Sequence, residues 1–245
     1  MNVTSPVGDR VRLEARVAEK SFRTAAGQRV PVISDLSFAL EEGETGALIG
    51  PSGCGKSTLM RILAGLDRSF DGSVHIPTHG KVGMVFQEPR LLPWRSVEDN
   101  VRLAAPDATE AEVTALFAAL GLSEHRTHFP GELSIGLARR AALARAFAVR
   151  PTLLLLDEPF VSLDAPLARQ LQRDLASLVE SRRMIVVLVT HDVDEAIALA
   201  DRIFVLSARP THVVGEIKVK APRAAMGGEE RQAVAARIEA VRGAP

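Results

Sequence analysis

A glycine-rich segment near residue 50 has the residue types and spacing of a phosphate-binding loop. It lies between apolar runs at 47–49 and 59–64 and has the sequence Gly50, Pro51, Ser52, Gly53, Cys54, Gly55, Lys56, Ser57 and Thr58. The glycines allow consecutive backbone N–H groups to surround phosphate oxygens, and the N-terminus of the following helix adds positive potential. Lys56 can reach the β- and γ-phosphates, and the Ser57 hydroxyl can bind Mg²⁺. This phosphate loop predicts binding of a nucleoside triphosphate.

Two adjacent carboxylates further along the chain could complete a hydrolytic site. Asp157 and Glu158 directly follow the apolar run 153–156, which indicates a buried strand. Such a strand delivers the residues at its carboxyl end to the sheet edge where ligands bind. Asp157 is suited to holding Mg²⁺ and Glu158 to polarising an attacking water. A solvated acidic turn is the alternative, and the phosphate loop upstream favours hydrolysis.

His191 follows another apolar run, 184–189, and therefore also lies at the end of a predicted strand. We expect it to contact the γ-phosphate. The remaining histidines do not have the spacing of metal ligands; they are His75, His79, His125, His128 and His212.

The elements that must position these residues predict an α/β fold. Apolar runs at 153–156, 184–189 and 203–206 alternate with helical segments near 165–181 and 193–200, which is typical of a parallel sheet buried on both faces. We therefore predict a P-loop NTPase core with a mostly parallel sheet.

Other segments extend this core. Alternating apolar residues from Val11 to Val17 predict a strand with one solvated face, and they belong to an expected N-terminal antiparallel β portion. Helical patterns at 111–120 and 135–149 predict an inserted α-helical subdomain at about 88–150. The expected domain limits are 11–220 for the ATPase domain and 221–245 for a partly helical tail.

Composition restricts the class of protein. The chain has 245 residues, 30 Lys and Arg and 30 Asp and Glu, so no basic excess indicates a nucleic-acid partner. Its single cysteine excludes an intramolecular disulfide. No apolar run approaches the ~18–20 residues of a membrane-spanning helix, and the first ten residues lack the apolar centre of a signal peptide. We expect a protein inside the cell that serves a membrane only from its surface.

The motifs and their order resemble those of the ATP-binding subunits of ABC transporters along nearly the whole chain. Val85–Gln87 resembles the Q-loop of that family, Glu132–Leu137 its signature, Ser162–Asp164 its D-loop and His191 its switch histidine. The resemblance implies that a second ATPase subunit, in a homodimer or a heterodimer, helps to sandwich two ATP molecules. Each site would pair one subunit's phosphate loop with the other's signature.

The resemblance also implies roles for single residues. Gln87 would sense Mg²⁺ and the attacking water and link the site to the permease, and Asp164 would act across the dimer interface. Phe22 would stack on adenine; the alternative is a core position in an early strand. Cys54 occupies a variable position of the loop, which does not indicate a catalytic thiol.

The signature departs from the usual Leu-Ser-Gly-Gly-Gln of the family at Ile135 and Leu137. Ser134 can still cap the following helix, so that Ser134 and the N–H of Gly136 could face a γ-phosphate in trans. The β-branched Ile135 hinders close approach of backbone and nucleotide. Either the dimer closes more weakly on ATP, or the partner subunit differs from this chain.

Within the family, the segments 87–94 and 98–101 resemble importers of the nitrate/sulfonate/taurine group. The resemblance implies transmembrane permease subunits as partners, a periplasmic solute-binding protein as an indirect partner, and a peripheral position on the cytoplasmic face of the inner (plasma) membrane. Leu91, Leu92 and Trp94 suit a permease interface. The alternative is that they pack beneath the helical insertion.

Two other functions remain open at this level. A soluble ABC-type ATPase acting on nucleic acid or ribosomes usually carries two cassettes, or coiled-coil or basic insertions, and this chain has neither. A P-loop phosphotransferase would need an acceptor-binding lid in place of the ordered signature, acidic pair and histidine.

Overall fold

The computed structural model describes residues 12–76, 80–219 and 226–243, so Val11 and His79 lie outside the described residues. The helices and strands are, in chain order, β1 Arg12–Arg23, β2 Arg29–Glu41, β3 Thr45–Ile49, α1 Lys56–Leu63, β4 Asp71–His75, β5 Lys81–Val85, α2 Val97–Ala104, α3 Glu110–Ala119, α4 Ile135–Ala148, β6 Pro151–Asp157, α5 Ala165–Glu180, β7 Ile185–Thr190, α6 Val193–Leu199, β8 Arg202–Leu206, β9 Val213–Lys218 and α7 Gly228–Arg242. None of these helices has the length and apolar character needed to cross a bilayer.

The strands of the described ranges form two sheets. Antiparallel β2, β1 and β4 form the smaller sheet, and the larger one has the order β5-β6-β7-β3-β8-β9. Strands β5, β6, β7, β3 and β8 are parallel, and β9 runs antiparallel to β8. This architecture confirms the predicted fold class. Strand β9 was not predicted from the sequence.

The larger sheet is buried on both faces, as its continuous apolar strands predict. Because successive side chains of a strand point to opposite faces, Leu154 and Leu156 of β6 join one core cluster while Leu153 and Leu155 join the other. The first cluster contains the apolar sides of α2 to α7. The second lies between the sheet, α1 and the smaller sheet.

Helices α2, α3 and α4 lie in the segment 88–150. Helix α3 begins at a capping box formed by Thr109 and Glu112, and the chain turns after it at Gly121, which has φ of +64°. Helix α7 lies in the predicted tail 221–245, of which residues 221–225 and 244–245 are outside the described ranges. The domain limits themselves remain predictions.

Candidate nucleotide site

Sheet order explains why distant segments meet in one site. Strands β5, β6, β7 and β3 are parallel neighbours, so their carboxyl ends lie along one edge. Gln87 follows β5, Asp157 ends β6 with Glu158 directly after it, His191 follows β7 and the phosphate loop follows β3. The structure thus assembles at one sheet edge the segments that the sequence analysis selected independently.

The phosphate loop connects β3 to α1 in a conformation that depends on glycine. Gly53 has φ of +73° and Gly55 has φ of +133°, values that L side chains rarely adopt. A Cβ atom at Gly55 would also lie 2.9 Å from Cγ1 of Val32. The Cys54 side chain is buried in the core, which agrees with a structural rather than a reactive thiol.

Lys56 closes the loop on itself. Its Nζ donates hydrogen bonds to the carbonyl oxygens of Gly50, at 2.8 Å, and Pro51, at 3.0 Å. Lys56 is buried, and both of these hydrogen-bond acceptors are neutral carbonyl groups. The ammonium group is therefore held inside the loop, in the space that phosphate oxygens take in a site of this kind.

The oxygen donors beside the loop fit a cation of the Mg²⁺ type. Asp157 is buried, and its carboxylate accepts a hydrogen bond from Ser57. Burial raises the pKa of Asp157, whereas the Ser57 hydrogen bond and the charges of Lys56 and Arg90 oppose that rise. A buried carboxylate and a hydroxyl are hard oxygen ligands, which Mg²⁺ prefers. In the described part of the chain, no cluster of three or more His, Cys, Asp or Glu side chains could hold a metal.

Glu158 is the centre of the predicted catalytic group. Its Oε2 accepts a hydrogen bond from Nε2 of Gln87 at 3.4 Å, and its Oε1 lies 3.5 Å from Nδ1 of His191. Both contacts are long, as is common for catalytic groups before substrate binds. The backbone of Glu158 has φ of +47°, and its N–H donates to the carbonyl oxygen of Val189 on β7. All three predicted catalytic side chains therefore meet.

The signature and the D-loop begin neighbouring helices. Ser134 is the N-cap of α4, as predicted, and its Oγ accepts a hydrogen bond from the Leu137 N–H. Ile135 is 60% exposed. Gly136 is buried, and a Cβ atom there would lie 2.5 Å from Cδ2 of Leu167 on α5. A side chain at Gly136 would therefore displace the end of the Leu167 side chain within the chain, apart from any contact in trans.

Asp164 also acts within the chain. Its carboxylate caps α5 by accepting a hydrogen bond from the Leu167 N–H at 2.9 Å. A role for Asp164 across a dimer interface remains a prediction. Phe22 is not a core residue, because 48% of its surface is exposed near the end of β1.

The sequence analysis missed a buried arginine that links three motifs. Arg139, on α4, donates to the carbonyl oxygens of Gln87 at 3.0 Å and Val161 at 2.7 Å. Burial lowers the pKa of Arg139, and the nearby charge of Glu195 opposes that effect. Arg139 therefore joins the helix that follows the signature to the Q-loop and to the segment that leads into the D-loop.

Two further residues have supporting roles that the sequence did not predict. Thr211 is buried, and its hydroxyl donates to the Cys54 carbonyl oxygen, which braces the phosphate loop from the β8–β9 connection. Asn100 is buried in α2, and its amide bonds both the N–H and the carbonyl of Leu92. Asn100 thereby fixes the loop that carries Trp94, which is 71% exposed.

The fold and this arrangement define an ATP-hydrolysing P-loop cassette. Residues 33–161 match the family described as ABC transporter. The chain is 42% identical over 231 residues to the aliphatic sulfonates import ATP-binding protein SsuB 2 of Pseudomonas syringae pv. tomato, covering 93% of this chain and 95% of that protein. The chain belongs to the ABC transporter family.

Other relatives agree with this assignment. The aliphatic sulfonates import ATP-binding protein SsuB 2 of Frankia alni is 49% identical over 191 residues, covering 78% of this chain and 76% of that protein. The dimeric ATP-binding cassette MJ0796, in a post-hydrolysis state bound to ADP and Pi, superposes with a TM-score of 0.74 at 27% identity, covering 85% of this chain and 99% of that one. These relatives do not favour a phosphotransferase or an ATPase acting on nucleic acid.

Proposed function

We propose that this chain is the ATP-hydrolysing subunit of an importer of aliphatic sulfonates. It works as a dimer on the cytoplasmic face of the inner membrane, with permease subunits and, indirectly, a periplasmic solute-binding protein. The observation that carries hydrolysis is the position of Glu158 between Gln87 and His191, at the sheet edge that holds the phosphate loop.

Lys56 and the loop N–H groups bind the triphosphate. Lys56 exchanges its two carbonyl partners for β- and γ-phosphate oxygens, so the loop needs little rearrangement. Ser57, Asp157 and Gln87 would hold Mg²⁺, which would neutralise phosphate charge when it is bound.

Glu158 acts as the general base. It accepts a proton from the attacking water as the water oxygen bonds to the γ-phosphorus and the bond to the β–γ bridging oxygen breaks. His191 contacts the γ-phosphate and orients Glu158 from the neighbouring strand end. The 3.5 Å distance between Nδ1 of His191 and Oε1 of Glu158 supports this division of roles.

The second subunit completes each site. Ser134 caps the N-terminus of α4 and the N–H of Gly136 lies in its first turn, where the helix dipole favours an anion. They contact the γ-phosphate bound to the partner's phosphate loop, and Asp164 acts in the same interface. The dimeric state of the MJ0796 cassette supports this arrangement.

The exposed Trp94 and the loop that holds it supply the permease contact. Leu91 packs partly against the core while Trp94 extends into solvent, so the loop combines a fixed base with an exposed apolar tip. Arg145 adds to the fixed base by donating to the carbonyl oxygens of Pro89 and Arg90. An exposed indole on a braced loop is suited to a protein interface.

The substrate class is tested by growth and uptake. A strain that lacks this chain is complemented with the wild type or with Glu158→Gln, and uptake of an alkanesulfonate, taurine and nitrate is measured. We expect the wild type alone to restore alkanesulfonate uptake. Restoration of taurine uptake alone would restrict the substrate to an amino-substituted sulfonate, and restoration of nitrate uptake in its place would reject the sulfonate class. Equal uptake with Glu158→Gln would exclude the energising role.

A further inference from the structure

Lys20 is a buried cation in the outer sheet, away from the catalytic group. Apolar residues of β1 face inward at Leu13, Ala15 and Val17, yet the next inward-facing residue is Lys20, 3% exposed. Irregular pairing explains the change, because the β1–β4 register shifts between Val17 and Glu19 and the β1–β2 register shifts after Lys20. Such irregularities redirect side chains.

The Lys20 ammonium group is fully engaged with the segment that follows α1. Its Nζ lies 2.9 Å from Oδ1 and 2.8 Å from Oδ2 of Asp67, and 2.7 Å from the carbonyl oxygen of Ser69. Burial raises the pKa of Asp67, but hydrogen bonds from Lys20 and the Ser69 N–H outweigh it and leave that pKa lowered. The Asp67 N–H in turn donates to the Arg61 carbonyl oxygen of α1.

The same ammonium group lies over an aromatic ring. Nζ of Lys20 is 4.7 Å from the centroid of the Phe22 ring, within the range of a cation–π interaction. The ring is still 48% exposed, so one side is held by the cation while the rest remains open to solvent. Lys20 thus connects Phe22 to Asp67, and through Asp67 to the helix that begins in the phosphate loop.

We propose that Lys20 is a positioning residue for base recognition, which holds Phe22 at a fixed place relative to the phosphate loop through its contact with Asp67. The proposal rests on the proposed function and on the expectation from the family resemblance that Phe22 stacks on adenine. Because the ring is clamped before nucleotide binds, stacking does not require the ring to be ordered at that moment.

The test separates binding of the base from binding of the phosphates. Affinities of the intact chain for ATP and for inorganic tripolyphosphate, each with Mg²⁺, are measured by calorimetry in Lys20→Met and Phe22→Ala. We expect Lys20→Met to lower the affinity for ATP about three- to thirtyfold and Phe22→Ala to lower it about 5- to 100-fold. Tripolyphosphate affinity should stay within about twofold of the wild type in both.

Two further variants keep the test decisive. Lys20→Met/Asp67→Leu removes both charges, so it leaves no unpaired buried carboxylate if Lys20→Met fails to fold. In the Phe22→Ala background, adding Lys20→Met should not weaken ATP binding any further. Arg29→Met is the matched control, because it removes an exposed cation of the same sheet that pairs with Glu19 and should leave both affinities unchanged.

Three results would overturn the proposal. Equal loss of ATP and tripolyphosphate affinity on removing Lys20 would mean a structural role only. If Lys20→Met binds ATP as tightly as the wild type while Phe22→Ala binds it more weakly, Phe22 contacts adenine without help from Lys20. That result would reject the positioning role of Lys20. Unchanged ATP affinity in Phe22→Ala would reject the adenine contact itself.

Discussion

Oε1 of Glu158 lies 3.5 Å from Nδ1 of His191, although 33 positions separate the two residues in the chain. They meet because β6 and β7 are parallel neighbours in one register, with Asp157 opposite Val189. The side chains that follow two adjacent strands must therefore lie side by side. This relationship supports the proposed roles of Glu158 as the base and His191 as its partner.

Lys56→Ala should abolish ATP hydrolysis and weaken ATP binding while leaving the fold intact. Loss of a charge-assisted contact costs about 1.5–3 kcal/mol, or about one to two orders of magnitude in affinity per contact. Calorimetry with Mg-ATP checks binding, and circular dichroism checks the fold. Arg61→Ala is the control, because it removes an exposed cation of the same helix. ATPase activity that survives in folded Lys56→Ala would contradict the role of the loop.

Ser134→Ala should weaken ATP-dependent dimerisation with little change in the affinity of the monomer for ATP. The lost hydroxyl removes a donor to the partner's γ-phosphate, and it also removes a helix cap, for about 1 kcal/mol of stability. The measurement is dimer fraction against ATP concentration in the Glu158→Gln background. If Ser134→Ala dimerises as its parent does, this signature does not bind nucleotide in trans.

Ile135→Gly tests the altered signature from the other direction. The side chain of Ile135 is exposed at the start of α4, so its removal opens space for the nucleotide without making a cavity. We expect a larger dimer fraction at a given ATP concentration in the same assay. Gly136→Ala is not informative, since its Cβ atom would clash with Leu167. Weaker dimerisation of Ile135→Gly would show that the isoleucine helps closure.

Arg139→Met should reduce turnover more than nucleotide affinity. The substitution leaves the carbonyl oxygens of Gln87 and Val161 without their donor, which frees the Q-loop and the segment that leads into the D-loop. We expect kcat to fall by up to about 10²-fold, because small misplacements of catalytic groups have effects of that size, and ATP affinity to stay within about twofold. Arg145→Met is the control, because it loses carbonyl contacts to Pro89 and Arg90 instead. Equal effects in both variants would make Arg139 a general packing residue.

The Glu98–Arg126 pair should make the free energy of unfolding depend on pH in the acid range. Hydrogen bonds from Arg126, opposed by burial, lower the pKa of Glu98 from 4.5 to about 2. The folded pKa is below the unfolded one, so the stabilisation is present above about pH 4.5 and is lost as the pH falls toward 2. Because solvent screens the pair, we expect it to contribute on the order of 1–2 kcal/mol to the free energy of unfolding at neutral pH.

Urea unfolding at pH 7 and pH 3 checks this prediction. Arg126→Met should be less stable than the wild type at pH 7, and the difference should shrink at pH 3. Glu98→Gln/Arg126→Met completes a double-mutant cycle. Cζ of Arg126 also lies 5.5 Å from the centroid of the Phe117 ring. A stability difference between Arg126→Met and the wild type that does not depend on pH would mean that Arg126 acts through this ring and not through Glu98.

The sequence predicts the parts of the site that lie at strand ends. Buried parallel strands are continuous apolar runs, so a polar residue directly after one, such as Glu158 or His191, is placed at the sheet edge by the pattern alone. Ser134 was predicted as an N-cap for a similar local reason, since capping needs only a hydroxyl before a helical pattern.

The remaining residues act through long-range packing, which leaves no local pattern. Arg139 lies in an Ala-rich helix where an arginine normally faces water, and only the approach of the Q-loop turns it into a buried donor. Lys20 faces inward because the strand pairing of β1 is irregular beside this residue. The regular alternation of β1 alone would have placed the Lys20 side chain on the solvent-facing side of the sheet. Strand β9 was missed because Gly215 interrupts a short run that pairs only at the sheet edge.

The most direct test of the account is the ATPase rate of Glu158→Gln. The amide keeps the shape of the side chain and loses the basic carboxylate, so we expect ATP affinity to be retained and turnover to fall by about 10²–10⁴. The variant should accumulate as an ATP-bound dimer on size-exclusion chromatography. Glu88→Gln, an exposed carboxylate beside Gln87, should hydrolyse ATP as the wild type does. Wild-type turnover in Glu158→Gln would contradict the account and move the general base elsewhere, with His191 the first candidate.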